Sequence, residues 1–171
     1  MRINKLILAL TATATMAFTA QANEHTSHHG AHSSIEFSGH ETALSELEFS
    51  RCWVRLVPDE RPSAAYFDLK NTGTEAIALI AARADGFSDV MLHESTVVDG
   101  VSMMDMVEEV LVEAGQTISF KPKAHHIMLT AESEDAATVG DAVTLEFKFK
   151  GEQVASTQCL VKAINSLSFE D

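Results

Sequence analysis

Four residues in this chain have the types and spacing of a soft-metal site: His93, ten residues, Met104, twenty-one residues, then His126-Ile127-Met128. Neutral imidazole offers nitrogen at ordinary pH, and thioether sulfur is polarisable with no proton to lose. Two of each make a soft, uncharged ligand set that suits Cu(I) better than zinc, magnesium or calcium. No thiolate or carboxylate belongs to the set, which argues against a structural zinc knot and against a calcium loop.

Such donors need rigid elements to bring them together, and period-2 runs supply them. Strands are expected at Phe49–Val57, Ala64–Lys70, Ile77–Ala84, Val90–Thr96, Val107–Val112, Thr117–Pro122, His126–Ala131, Ala142–Lys150 and Val154–Ala163. Val143, Leu145, Phe147 and Phe149 alternate with Thr144, Glu146, Lys148 and Lys150, the pattern of a half-buried antiparallel strand. Asp99-Gly100 and Gly151-Glu152 read as hairpin turns. Many short strands at this spacing predict an all-β antiparallel sandwich or barrel. Leu44–Leu47 and Glu132–Ala137 read as short helical turns. His126 and Met128, two apart on one strand, leave the same face, while His125 leaves the other. His93 near a strand end and Met104 just beyond the Asp99-Gly100 turn would meet them at one rim.

The N-terminus reads as an export signal over residues 1–22. Arg2 and Lys5 precede an apolar stretch from Leu6 to Phe18, and Ala20-Gln21-Ala22 is an A-x-A cleavage site. The stretch is short and threonine-rich for a membrane span, and no cysteine follows the cleavage site to carry a lipid. Cleavage after Ala22 would release a periplasmic chain with no stable membrane insertion. Residues 23–45 then form a flexible tail holding five of the eight histidines: His25, His28, His29, His32 and His40. If Asn23 is the new terminus, Asn23-Glu24-His25 can wrap Cu(II) in a square plane of nitrogens, with His28, His29 and His32 nearby. A solvated linker is the bland alternative. The folded domain is expected over 46–165, with residues 166–171 as a C-terminal tail.

The whole chain carries a net charge of −13 with histidines neutral. That acidity disfavours nucleic acid, whose phosphates would be repelled, and favours solubility or a basic partner face. Cys52 and Cys159 lie far apart with no C-x-x-C. In an exported chain an even count suggests a disulfide. Alternation places Cys52 with Val54 and Leu56, and Cys159 with Ala155 and Val161, on inward faces. Two buried free thiols, or a pair engaged in copper or redox exchange, are the alternatives.

The run from Met91 to Leu129, MLHESTVVDGVSMMDMVEEVLVEAGQTISFKPKAHHIML, resembles the periplasmic copper chaperone family called PCuAC. His93, Met104, His126 and Met128 match its His-x10-Met-x21-His-x-Met signature position for position. Cys52-Trp53-Val54-Arg55, Ala65-Tyr66-Phe67-Asp68-Leu69-Lys70-Asn71 and Val139-Gly140-Asp141 extend the likeness over nearly all of the chain after the tail. The resemblance implies a cupredoxin-like β-sandwich, an exposed Cu(I) site, and delivery of copper to a respiratory oxidase, chiefly the CuA centre of cytochrome c oxidase. Subunit II of that oxidase, or a Sco-type copper protein, would be the partner of a monomeric chaperone. The chain departs from the family pattern at Lys123-Ala124, where two glycines are frequent, at Met106, where proline is common, and at Met91, where an acid is usual. The last two changes make Met91 and Met106, together with Met103, candidate auxiliary sulfurs beside their packing roles.

Rival functions are weaker on the same residues. Blue-copper electron transfer needs a cysteine thiolate beside two histidines, and neither cysteine has a histidine near it in sequence. A copper-tolerance or storage role would share the metal and draw on the tail. A thiol-disulfide enzyme would need a reducible Cys52–Cys159 pair. No hydrolytic triad or open zinc site is present in the pattern. The chain reads as a non-enzymatic carrier.

Overall fold

The computed structural model describes residues 35–59 and 61–171. Among these, all regular secondary structure is strand: β1 Thr42–Ala43, β2 Leu47–Arg55, β3 Pro62–Asn71, β4 Ile77–Ala84, β5 Phe87–Val98, β6 Val101–Met106, β7 Val110–Val112, β8 Thr117–Phe120, β9 His125–Ala131, β10 Ala142–Phe149 and β11 Gln153–Lys162. The main path of pairing runs β6-β5-β9-β3-β2-β11-β10-β4-β7, with β1 on β11 and β8 on β3. Apolar alternation folds this path round one core. Val54, Ala65, Phe67, Leu69, Leu79, Leu92, Ile127, Leu129, Leu145, Phe147, Phe149 and Val161 all belong to one buried cluster.

The sheet is mixed rather than purely antiparallel. β2 pairs in parallel with β11 through Trp53↔Leu160, Val54↔Val161 and Arg55↔Lys162, and β1 pairs in parallel with β11. Local alternation carries no information about strand direction, so neither parallel pair was legible. Cys52 and Cys159 are joined as a disulfide across the β2–β11 pair, with Cα atoms 4.4 Å apart. A bulge interrupts β2 between Ser50 and Trp53, with Arg51 at a φ of 51°. Cys52 and Val54 face the main core, while Trp53 is buried apart from it with Ala64 and Tyr66.

Two other expectations change. Leu44–Leu47 and Glu132–Ala137 form no helix; Leu47 opens β2, and 132–137 is turn and bend. The run Val107–Val112 shortens to β7, and a strand appears before it at Val101–Met106. That strand exists because Asp99 and Gly100, at φ 52° and 81°, close a two-residue hairpin that pairs Val98 with Val101. Positive φ at both positions is the type I′ geometry whose twist suits the flanking strands.

The end of the expected tail is tied to the domain. Besides β1, the buried ammonium of Lys148 donates to the Glu36 carbonyl at 2.7 Å and pairs with Glu41 and Glu152 at 3.2 and 3.1 Å. Lys148, outward by alternation, is therefore covered by residues 36–41. The last residues are held too, since Lys162 Nζ donates to the carbonyl oxygens of Phe169 and Asp171 at 2.6 Å each. No described helix is long and apolar enough to cross a membrane. The expected signal segment and His25, His28, His29 and His32 lie outside the described residues.

Candidate metal centre

The face of β6, β5 and β9 turned away from the core carries the donors. Leu92 and Ile127 point into the core, so their neighbours His93, His126 and Met128 take the opposite face. Register then fixes who meets whom. Met106 stands opposite His93, and His93 opposite His126. Met104 stands opposite Ser95, one row away, and Met91 opposite Met128, one row away on the other side. The structure thus brings His93, Met104, His126 and Met128 onto one face of three adjacent strands. Met104 is on a strand, not on a loop at a rim.

The two imidazole rings lie 5.7 Å apart between centroids, at 57°. His126 Nδ1 is 2.9 Å from the Ala124 carbonyl oxygen. Only an N–H can satisfy that oxygen, so Nδ1 carries the proton and Nε2 keeps a free lone pair. His93 is 9% exposed, and neither of its ring nitrogens has a hydrogen-bond partner. Buried polar atoms are nearly always paired, and an orphaned imidazole on a face of thioethers is one that awaits a ligand. Burial pushes the His93 pKa down, the neighbouring His126 pushes it further, and Asp105 opposes both. Burial also lowers the His126 pKa, against the pull of the Ala124 carbonyl and together with the charge of Arg55 and of His125. Both rings are held neutral, which is the ligating form.

Behind His126 the row continues onto β3 and β2. Tyr66 packs 6.4 Å from the His126 ring, and Trp53 lies 4.7 Å from Tyr66. Arg55 donates from Nη2 to the Tyr66 hydroxyl at 2.6 Å and sits 5.3 Å over its ring. This wall screens one side of the imidazoles from water. The other side is open, because β6 is the sheet edge and Met104 and Met106 are 53% and 36% exposed.

His125 takes no part in the face. It stands opposite Glu94, with Nε2 3.7 Å from Glu94 Oε1, and packs on Phe120 at 5.8 Å. The exposed His40 belongs to the N-terminal segment. Cys52 and Cys159, being bonded to each other, offer no thiolate to a metal. Among the described residues no three His, Cys, Asp or Glu side chains gather to hold an ion. What is gathered instead is two imidazoles among thioethers, a donor set that suits a soft metal. Sequence reasoning had not seen that Met106 is the direct neighbour of His93, nor the Arg55–Tyr66 wall.

Comparison with known proteins bears on the family and the fold. A family model described as "Putative lipoprotein LpqE-like" matches residues 47–161. The "Putative lipoprotein Lxx21020" of Leifsonia xyli is 30% identical over 84 residues, 48% of this chain and 50% of that protein. The chain thus matches about half the length of this curated relative. Among solved structures, the apo PCuAC domain of PmoF2 superposes with a TM-score of 0.60 at 17% identity, over 75% of this chain and 99% of that domain. The Cu(I) form of DR1885 from Deinococcus radiodurans gives 0.56 at 25% identity, over 74% and 83%.

Proposed function

The chain belongs to the LpqE-like family, the family of the PCuAC domains, and on that premise we propose that it is an exported copper chaperone holding one Cu(I) on His93, Met104, His126 and Met128. One observation carries the reading: a buried, neutral, unpartnered His93 beside His126, flanked by the Met104 row on one side and the Met128 row on the other. Copper here is cargo. His126 offers Nε2, its ring fixed by the Ala124 carbonyl. His93 offers one of its two unpartnered ring nitrogens, and the sulfurs complete a neutral shell. Because β6 is an edge, an acceptor can approach and replace the sulfurs one at a time, so the ion passes without being released to water. No bond of a substrate is made or broken, which is why we read a carrier and not an enzyme.

The acceptor we propose is the CuA site of cytochrome c oxidase subunit II, directly or through a Sco-type protein, in the periplasm. The test is transfer from the loaded protein to an apo CuA domain, followed by the optical bands of the filled centre. Transfer should occur with the wild type and fail with Met128→Ala and His126→Ala. A loaded wild type that never fills the acceptor would refute delivery while leaving Cu(I) binding intact. A tolerance or storage role is the second reading. The five histidines between His25 and His40 favour it, because they add Cu(II) capacity that delivery does not need.

A further inference from the structure

We propose that Met106 is an exchange ligand of the copper face, able to take Cu(I) over from Met104 while His93 keeps its hold. This inference rests on the Cu(I) reading above and extends it to a residue outside the four-member set.

Three observations carry it. First, the hairpin register puts Met106, not Met104, directly opposite His93. Residues directly opposite across an antiparallel pair have Cβ atoms about 4.5–5.5 Å apart, whereas diagonal ones stand about 7–8 Å apart. Met106 is therefore the β6 methionine whose Cβ stands nearest to His93, with Met104 on the diagonal. Second, Met106 is not part of the buried core. It is 36% exposed on the outer face of an edge strand, and every residue of β6 is exposed. Third, the residue it faces is nine-tenths buried and has both ring nitrogens without partners. A thioether beside such a ring is placed to meet whatever the ring binds.

Met104 and Met106 are two apart on one strand, hence on the same face and about 7 Å apart along it. Each methionine has three rotatable side-chain bonds. One sulfur can thus approach Cu(I) before the other leaves: a bond from copper to the Met106 sulfur forms as the bond to the Met104 sulfur breaks. Both are neutral thioethers, so no electron or proton moves. Met91, opposite Met128, stands beside a sulfur the site already has and does not face an unpartnered imidazole, so it carries no equal argument.

The experiment uses the full-length mature protein with Met104→Leu, Met106→Leu and the double variant. Leucine keeps the volume, and both positions are exposed, so all three should unfold at the wild-type temperature. Cu(I) affinity is read by competition with a chromophoric chelator, and the sulfur count by X-ray absorption. In Met104→Leu the count should stay at the wild-type value and affinity fall less than about 5-fold; in the double variant the count should drop by one and affinity fall more than about 50-fold, the non-additivity of two groups serving one function. Met106→Leu alone should keep the affinity and slow release to the chelator. A count that already drops in Met104→Leu, with Met106→Leu silent in affinity and release rate alike, would overturn the proposal and leave the four-ligand site standing. A wild type whose Cu(I) shell holds no sulfur would overturn the Cu(I) reading itself, and this inference with it.

Discussion

Replacing both cysteines with alanine tests what the single crosslink contributes. Cys52 and Cys159 are separated by 107 residues, and they join strands that already pair in parallel. A closed loop of that length removes entropy from the unfolded chain as about 2.1 + 1.5R ln n cal/mol/K, which at 25 °C comes to about 4.8 kcal/mol. For a domain of this size each kcal/mol moves the melting temperature by about 3–4 °C, so C52A/C159A should melt about 15–20 °C lower. Urea unfolding followed by circular dichroism gives an independent measure. The midpoint should fall, and the m value should rise, because an unfolded chain without the crosslink exposes more surface. Copper affinity should not change, since the bonded pair contributes no donor to the β6-β5-β9 face. A loss below about 1.5 kcal/mol would refute loop entropy as the source of the stabilisation and leave the β2–β11 ladder as sufficient. A loss of Cu(I) affinity in a variant that is still folded would instead revive a role for the thiols in metal handling.

Three further outcomes are expected. Met128→Ala should weaken Cu(I) binding by about 10-fold or more, while His125→Ala, which faces Glu94 and Phe120, should change it less than about 3-fold; equal losses in a competition titration would contradict the assignment of faces. Because the pKa values of His93 and His126 lie below the ordinary 6.5, protons compete with copper only at lower pH. Affinity should hold as pH falls through 6.5 and decline only below it, and a midpoint at or above 6.5 would contradict the burial argument. Deleting residues 23–34, which removes Asn23, Glu24, His25, His28, His29 and His32 but keeps the segment bound to Lys148, should abolish the Cu(II) signal in electron paramagnetic resonance and spare Cu(I) binding. A Cu(II) signal unchanged by the deletion would refute a square-planar site on the tail.

The fold was legible where alternation is strict. β10 buries Val143, Leu145, Phe147 and Phe149 as one face, and the short apolar run Ile77–Ala84 is β4 over its full expected length. β6 was missed because Val-Ser-Met-Met-Asp-Met has no period and nothing to bury; its six residues are all exposed, and only the hairpin turn makes it a strand. That turn also held a signal that went unused. Counting outwards from Asp99-Gly100 as a two-residue loop pairs residue 98 with 101, and so 93 with 106, which places Met106 opposite His93 from sequence alone. The parallel pairing of β2 with β11 and the bulges at Arg51 and Asp89 had no such signal, because each is imposed by partners far away in the chain. The burial of Lys148 had no local signal for the same reason: Glu36 and Glu41, which cover it, come from the far N-terminal segment.

The chain has one tryptophan and one tyrosine, and they pack against each other, tilted by 40°, at the end of the row that begins at Met106 and passes through the two histidines. Intrinsic emission excited at the indole band therefore reports on the wall of the candidate site. Light absorbed by Tyr66 passes to Trp53 at contact distance, so a metal or an acceptor that shifts His126 is seen as a change in indole brightness. The loading and docking proposed above can then be timed in stopped flow on the unlabelled wild-type protein.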